Sequence, residues 1–168
     1  MIILKFINLF FNCFRRNQSM NSSLNPSFPD IEMLIPHRGR MRLVEAIVSL
    51  TETDSVSTAT VRESWPLHDH GVVHPIVLIE LIAQTSGLCN GLTRLRAEGI
   101  DSDKSGWIVG IKEAHLFVNV LPVGTKIVSS AENRFIFDDF REVYGIARIG
   151  ETIAADAVLQ LMRGKAIF

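Results

Sequence analysis

Apolar and polar positions change rhythm several times along the chain, and each change marks an element. Asp30 is a good helix N-cap, and Ile31, Met33, Leu34 and Ile35 supply one or two helical turns before Pro36 stops them. Residues 42–50 and 55–62 cluster β-branched residues around Glu52, Thr53 and Asp54, which predicts a strand pair with a polar turn. Trp65 to His74 reads as a loop rich in Pro, His, Asp and Gly. Pro75 then stands where a helix favours a first-turn proline, and residues 76–97 read as one long helix ended by Gly99. From Ile76 to Cys89 the only charge is Glu80, with apolar residues on all sides, so this half of the helix is expected to be buried nearly all round. Strand-like runs follow at 107–111, 114–120, 126–137, 142–149 and 152–162. The turn signals between them are Leu121-Pro122-Val123-Gly124, Asp138-Asp139 and Gly150-Glu151. Two strands, a buried helix and a long antiparallel meander predict an α+β domain with the sheet wrapped round the helix.

Composition narrows the class. A chain of 168 residues has room for one ordinary domain, and 47% apolar content is enough for a core. With 17 basic against 18 acidic side chains there is no positive excess to neutralise phosphates, so nucleic acid is not an expected partner. Cys13 and Cys89 form neither a disulfide framework nor a C-x-x-C pair, which suits a reducing, cytoplasmic setting. Residues 1–14 are strongly apolar and followed by Arg15 and Arg16. That run is too short to span a bilayer, and its basic residues lie mostly after it, opposite to a secretory signal. The favoured reading makes Met20 the start and 1–19 a translated leader, with an interfacial anchor as the disfavoured alternative. Residues 1–29 are therefore expected to lie outside a single domain over 30–168.

Glu80 is the sharpest chemical signal. A carboxylate set in an apolar helix must pair, neutralise or meet water in a cavity, and a general acid near neutral pH needs a raised pKa. Gln84 lies one turn on, placed to orient Glu80 or line a substrate site, and Gly87 and Gly91 suit close packing against the sheet or a partner subunit. His68, His70 and His74 precede Glu80, but no acidic or Cys cluster completes a metal site. One of them is better read as a base opposite Glu80. His37 and Arg38 read as structural residues tying the short helix to the sheet.

The stretch from Asp30 to Met162 resembles the hot-dog-fold (3R)-hydroxyacyl-ACP (acyl carrier protein) dehydratases. Ile31-Glu32-Met33-Leu34-Ile35-Pro36-His37-Arg38, with Met41 to Glu45, is similar to that family's I-P-H-R-x-P-F-L-L-V-D segment. Val77-Leu78-Ile79-Glu80-Leu81-Ile82-Ala83-Gln84 resembles its V-L-I-x-E-A-L-A-Q helix, with one residue of play before the Glu. Val109-Gly110-Ile111-Lys112, then Phe117 and Leu121 to Gly124, resemble its G-I-D-K-x-R-F-x-x-P-V-x-P-G-D segment, and Tyr144 to Ala147 through Met162 its final strands.

The resemblance implies a sheet curled round a central helix and a dimer with its sites at the interface. It also implies a substrate carried on the phosphopantetheine of acyl carrier protein, and no metal or organic cofactor. Glu80 and a loop histidine would be catalytic. The family loop G-H-F-P-x-x-P-x-x-P-G sets its His about 14 positions before the carboxylate, whereas His68 lies 12 before Glu80, so two residues are missing here, and so is the H-F-P core. His68 is the first choice for the base and His70 the second, with His74 a residue of the helix start. The amide of Ile76 or Val77 would polarise the thioester carbonyl. The expected activity is dehydration of (3R)-3-hydroxyacyl-ACP to trans-2-enoyl-ACP, in fatty acid or related lipid or polyene synthesis. The alternatives are a hot-dog acyl-thioesterase and a non-catalytic partner subunit, the latter in a heterodimer rather than the expected homodimer.

Overall fold

The computed structural model describes residues 28–164. The proposed leader and Cys13 lie outside the described residues. A short helix α1 (Ile31–Leu34) is capped by Asp30, whose carboxylate accepts the Glu32 amide at 2.9 Å. Pro36 holds the preceding Ile35 extended and ends the helix. After a single 3₁₀ turn at Gly39–Met41 come β1 (Ala46–Leu50) and β2 (Asp54–Thr60), joined by the expected polar turn. The long helix α2 spans Val77–Glu98 and ends at Gly99, whose φ of +83° and amide bond back to Leu95 mark a glycine C-terminal cap.

The meander that follows differs from the sequence expectation in one respect. The strands expected at 107–111 and 114–120 are a single one, β5 (Gly106–Leu116), and residues 117–120 lie beyond its end. It runs through the charged Lys112-Glu113 pair and absorbs irregularities in its register by bulging between Ile108 and Gly110 and between Ile111 and Glu113. The remaining long strands are β7 (Lys126–Phe137), β8 (Phe140–Ile149) and β9 (Thr152–Arg163). All pairings are antiparallel, in the order β1-β2-β7-β8-β9-β5. The expected Trp65–His74 loop also contains structure. Its β3 (His68–Asp69) pairs with β4 (Val72–Val73), which pairs in turn with β6 (Leu121–Pro122).

This is the α+β hot-dog fold, with α2 packed on β2, β7, β8 and β9. Close approach depends on small residues. A Cβ on Gly145 would lie 2.2 Å from Ile82 Cγ2. The Ser55 hydroxyl on β2 donates to the Thr85 carbonyl of the helix at 2.6 Å, and the Ser57 (β2) and Ser129 (β7) hydroxyls meet the Thr85 hydroxyl at 2.8 and 2.9 Å, so these buried groups are satisfied. Gly91 serves a different contact from the one expected. A Cβ there would come within 2.3 Å of the Leu34 carbonyl oxygen, so it admits the opening segment rather than the sheet or a partner. Arg94 fastens the same region, with Nη2 donating to Met33 O at 2.6 Å and Nη1 to Ser102. Cys89 is buried, and burial pushes its thiol up to about 11, which leaves it inert rather than reactive.

Candidate functional site

Glu80 stands on the first turn of α2 between the buried Ile79 and Leu81. Its helix face is not covered by the sheet but by the segment that follows α1. Gln84, buried one turn on, makes three hydrogen bonds there. Its Nε2 donates to Glu80 Oε1 at 2.9 Å and to Met41 O at 2.7 Å, while its Oε1 accepts the Leu43 amide at 2.9 Å. Gln84 is thus the Glu-orienting group that its spacing suggested, and it also moors the chain leading into β1.

A second partner of Glu80 is His37, with Nε2 at 3.1 Å from Oε1. Arg38 behaves as the structural residue expected, donating to the carbonyls of Glu32, Ile35 and His37. His37 does not share that role, because its ring turns toward the helix carboxylate. The consequence for charge runs against the sequence expectation. Burial raises the Glu80 carboxyl and is the largest single influence, but hydrogen bonds from His37 and Gln84, with the His37 charge, outweigh it together. Glu80 is held below its ordinary value of 4.5 and is ionised at neutral pH.

A cavity of about 400 Å³ opens beside this pair. It begins at Pro36, His37 and Glu80, follows α2 past Gly87, and reaches Trp107 at the start of β5 and Arg163 at the end of β9. One end is thus acidic and hydrogen-bonded, and the far end is bounded by the Arg163–Glu98 ion pair.

The histidine loop is placed elsewhere. His70 and Gly71 both have positive φ, +44° and +82°, which makes them the two central residues of a tight hairpin turn. This two-residue turn is what orders residues 68–73 as a hairpin. His68 lies on β3 and its Nε2 accepts the Gly71 amide at 3.3 Å, folding the ring over its own turn. It borders a separate hollow of about 560 Å³ with Arg40, Trp65 and Leu67. Within one chain, therefore, His68 and Glu80 face different spaces. The exposed His70 contacts Asp69 at 2.6 Å.

The two amides expected to polarise a carbonyl are both engaged. Ile76 N–H donates to His74 Nδ1 at 3.2 Å and Val77 N–H to His74 O at 3.3 Å. His74 accordingly serves the helix start. Among the described residues no group of three or more His, Cys, Asp or Glu is placed to hold a metal ion, and no helix is long and apolar enough to cross a membrane.

The structure brings Gln84 against Glu80 as their spacing suggests, and adds His37, whose contact with Glu80 the sequence does not announce. The usable signal was the need of a half-buried carboxylate for a donor, since Pro36 fixes the backbone next to the one histidine in the opening segment.

The ApeP-like family profile, described as ApeP dehydratase, matches residues 29–167. A sequence search of curated proteins returned no match. Among solved structures, the dehydratase heterocomplex ApeI:P from Xenorhabdus doucetiae is similar at a TM-score of 0.75 and 18% identity, covering 83% of this chain and 93% of that one. The sigma28-regulated virulence protein Cj0977 from Campylobacter jejuni is similar at 0.61 and 12%, covering 83% and 100%. A variant of the phenylacetic acid degradation protein PaaI from Thermus thermophilus is similar at 0.54 and 16%, covering 73% and 95%. At these identities the structural likenesses speak for the fold.

Proposed function

The chain belongs to the ApeP-like dehydratase family, and from that premise we propose that it removes water from a (3R)-3-hydroxyacyl chain carried as a thioester on acyl carrier protein. The observation that carries the reading is Glu80, a carboxylate fixed by two donors at the mouth of a cavity along α2. A histidine base takes the proton α to the thioester carbonyl, the C–O bond to the β-hydroxyl breaks, and Glu80 supplies the proton that lets it leave as water. The products are the trans-2-enoyl thioester and water, and the step itself calls for no metal or organic cofactor. Its place is the reducing cytoplasm that two cysteines without a disulfide framework suit, in fatty acid, lipid or polyene synthesis.

The base comes from a second chain. Within one chain His68 borders a different hollow, and β5 is the last strand of the sheet order among the described residues, with Val109 and Ile111 exposed on it. Such an edge is what a partner strand covers. A second copy would bring its own His68, or less directly His70, to Glu80. The likeness to a heterocomplex supports a related subunit as the alternative partner. Closure also bears on the carboxyl, since covering the cavity mouth adds to burial, the influence that raises Glu80 toward the protonated form elimination needs. Rotation of the His74 ring would release the Ile76 amide for the thioester carbonyl.

A second reading has an observation of its own. An ionised Glu80 is suited to activating water, as a hot-dog thioesterase requires. The two readings separate in one assay, hydration of a trans-2-enoyl-ACP compared with hydrolysis of the saturated acyl-ACP. Faster hydration is expected. Hydrolysis alone would move the assignment to a thioesterase, and neither activity without a related subunit would make the chain a partner subunit.

A further inference from the structure

We propose that His37 is the positioning residue of the site, holding Oε1 of Glu80 so that Oε2 is the oxygen that exchanges a proton with the substrate. What Glu80 does in this statement rests on the dehydratase reading, whereas how it is held rests on geometry alone.

Two donors converge on one oxygen. His37 Nε2 lies 3.1 Å and Gln84 Nε2 2.9 Å from Oε1, while Oε2 has no hydrogen bond among the described residues. A proton arriving at the carboxyl therefore has Oε2 as its open position. The His37 ring is equally constrained. Its Nδ1 is buried without a partner, so a hydrogen there would be a stranded donor. The hydrogen belongs on Nε2, where an acceptor waits. In the neutral ring Nε2 thus already carries its hydrogen and faces Glu80, while the lone pair of Nδ1 is buried out of reach of a substrate, which separates His37 from the base and leaves it an orienting role.

The backbone that carries the ring is fixed on several sides. Pro36 sets Ile35 extended, and Arg38 clamps the carbonyls of Ile35 and His37 at 2.8 Å each. Gly87 and Gly91 let Ile35 and Leu34 lie against α2. Glu80 thus faces His37 from the opening segment and Gln84 from its own helix. The other charged groups on the cavity wall, among them Arg94 and Glu98 on α2 and Asp139, Arg141 and Arg163 at the strand ends, do not contribute to its titration.

The test uses the full-length chain with ¹³C-enriched Glu carboxyl carbons, the Glu80 signal being assigned by its loss in Glu80→Gln. In the parent, Glu80 should titrate below the ordinary carboxyl range. His37→Ala should move it upward, and His37→Gln, which restores an N–H at similar reach, should bring it back down. In enoyl-ACP hydration, His37→Ala should lower kcat about tenfold with little change in KM and shift the acidic limb of the rate profile upward. His37→Gln should recover most of the loss. An unmoved Glu80 titration in folded His37→Ala would overturn the inference, whatever the activity. A shifted titration in a parent with no hydration activity would sink the dehydratase reading and leave the His37–Glu80 coupling standing.

Discussion

The two regions proposed as halves of the site, one carrying Glu80 and the other His68 and His70, are built to different standards. The carboxylate half sits on a 22-residue helix, beneath a segment held by hydrogen bonds from Gln84, Arg38 and Arg94 to backbone carbonyls. The histidine half sits on a hairpin of two-residue strands, with Leu67 and His70 in the left-handed region and Leu67 exposed. Few contacts hold that hairpin, chiefly the pairing of β4 with β6 and the Val123 amide on Gly71 O at 3.0 Å. The difference teaches that the chain pre-organises its carboxylate by packing, whereas His68 is held only by its own turn and His70 is exposed.

The comparison predicts a graded set of responses. The largest is on rate, where Glu80→Gln should keep the fold and a melting temperature near the parent's but slow enoyl hydration by about 10²–10⁴. A badly destabilised variant that still turns over when folded would assign Glu80 to the scaffold. Next comes Gln84→Ala, which strands the buried Leu43 amide and should cost roughly 3 kcal/mol in urea unfolding. A loss comparable to that of an exposed residue would show that the carboxylate half is looser than its hydrogen bonds imply.

Acid should reveal the same half more gently. Glu80 titrates lower folded than unfolded, so its contribution to stability is present above its ordinary value of 4.5 and is lost as pH falls through the folded value. Unfolding free energy should therefore fall more steeply between about pH 5 and pH 3 in the parent than in Glu80→Gln. Equal slopes would mean that His37 and Gln84 do not hold the ionised form. The smallest effect belongs to the hairpin. His70→Asn creates an Asn-Gly turn at a position with φ of +44° and should raise stability by about 0.5 kcal/mol. If enoyl hydration disappears with that change, the base is His70 and not His68.

What was legible in the sequence follows the same division. Proline before α2, glycine after it and one charge in an apolar run announced the helix and Glu80 together, because those signals are local. β5 was read as two strands because an edge strand with both faces exposed lacks the alternation that burial imposes, and Lys112-Glu113 then resembles a break. The hairpin at 68–73 has no clear signal in the sequence because its turn depends on a non-glycine residue, His70, at positive φ. The His37–Glu80 contact joins segments far apart in the chain, and only packing of α1 on α2 brings them together.

The central claim, that the site is completed across a dimer interface, is tested most directly by mixing two inactive variants. His68→Ala and Glu80→Gln should each be nearly inactive alone as folded dimers. Unfolded and refolded together in equal amounts, half of the dimers are hybrids and each carries one intact site of two. The mixture should then regain about a quarter of the parent rate of enoyl-ACP hydration. No recovery from such hybrids, with each variant inactive alone, would contradict a site shared between chains.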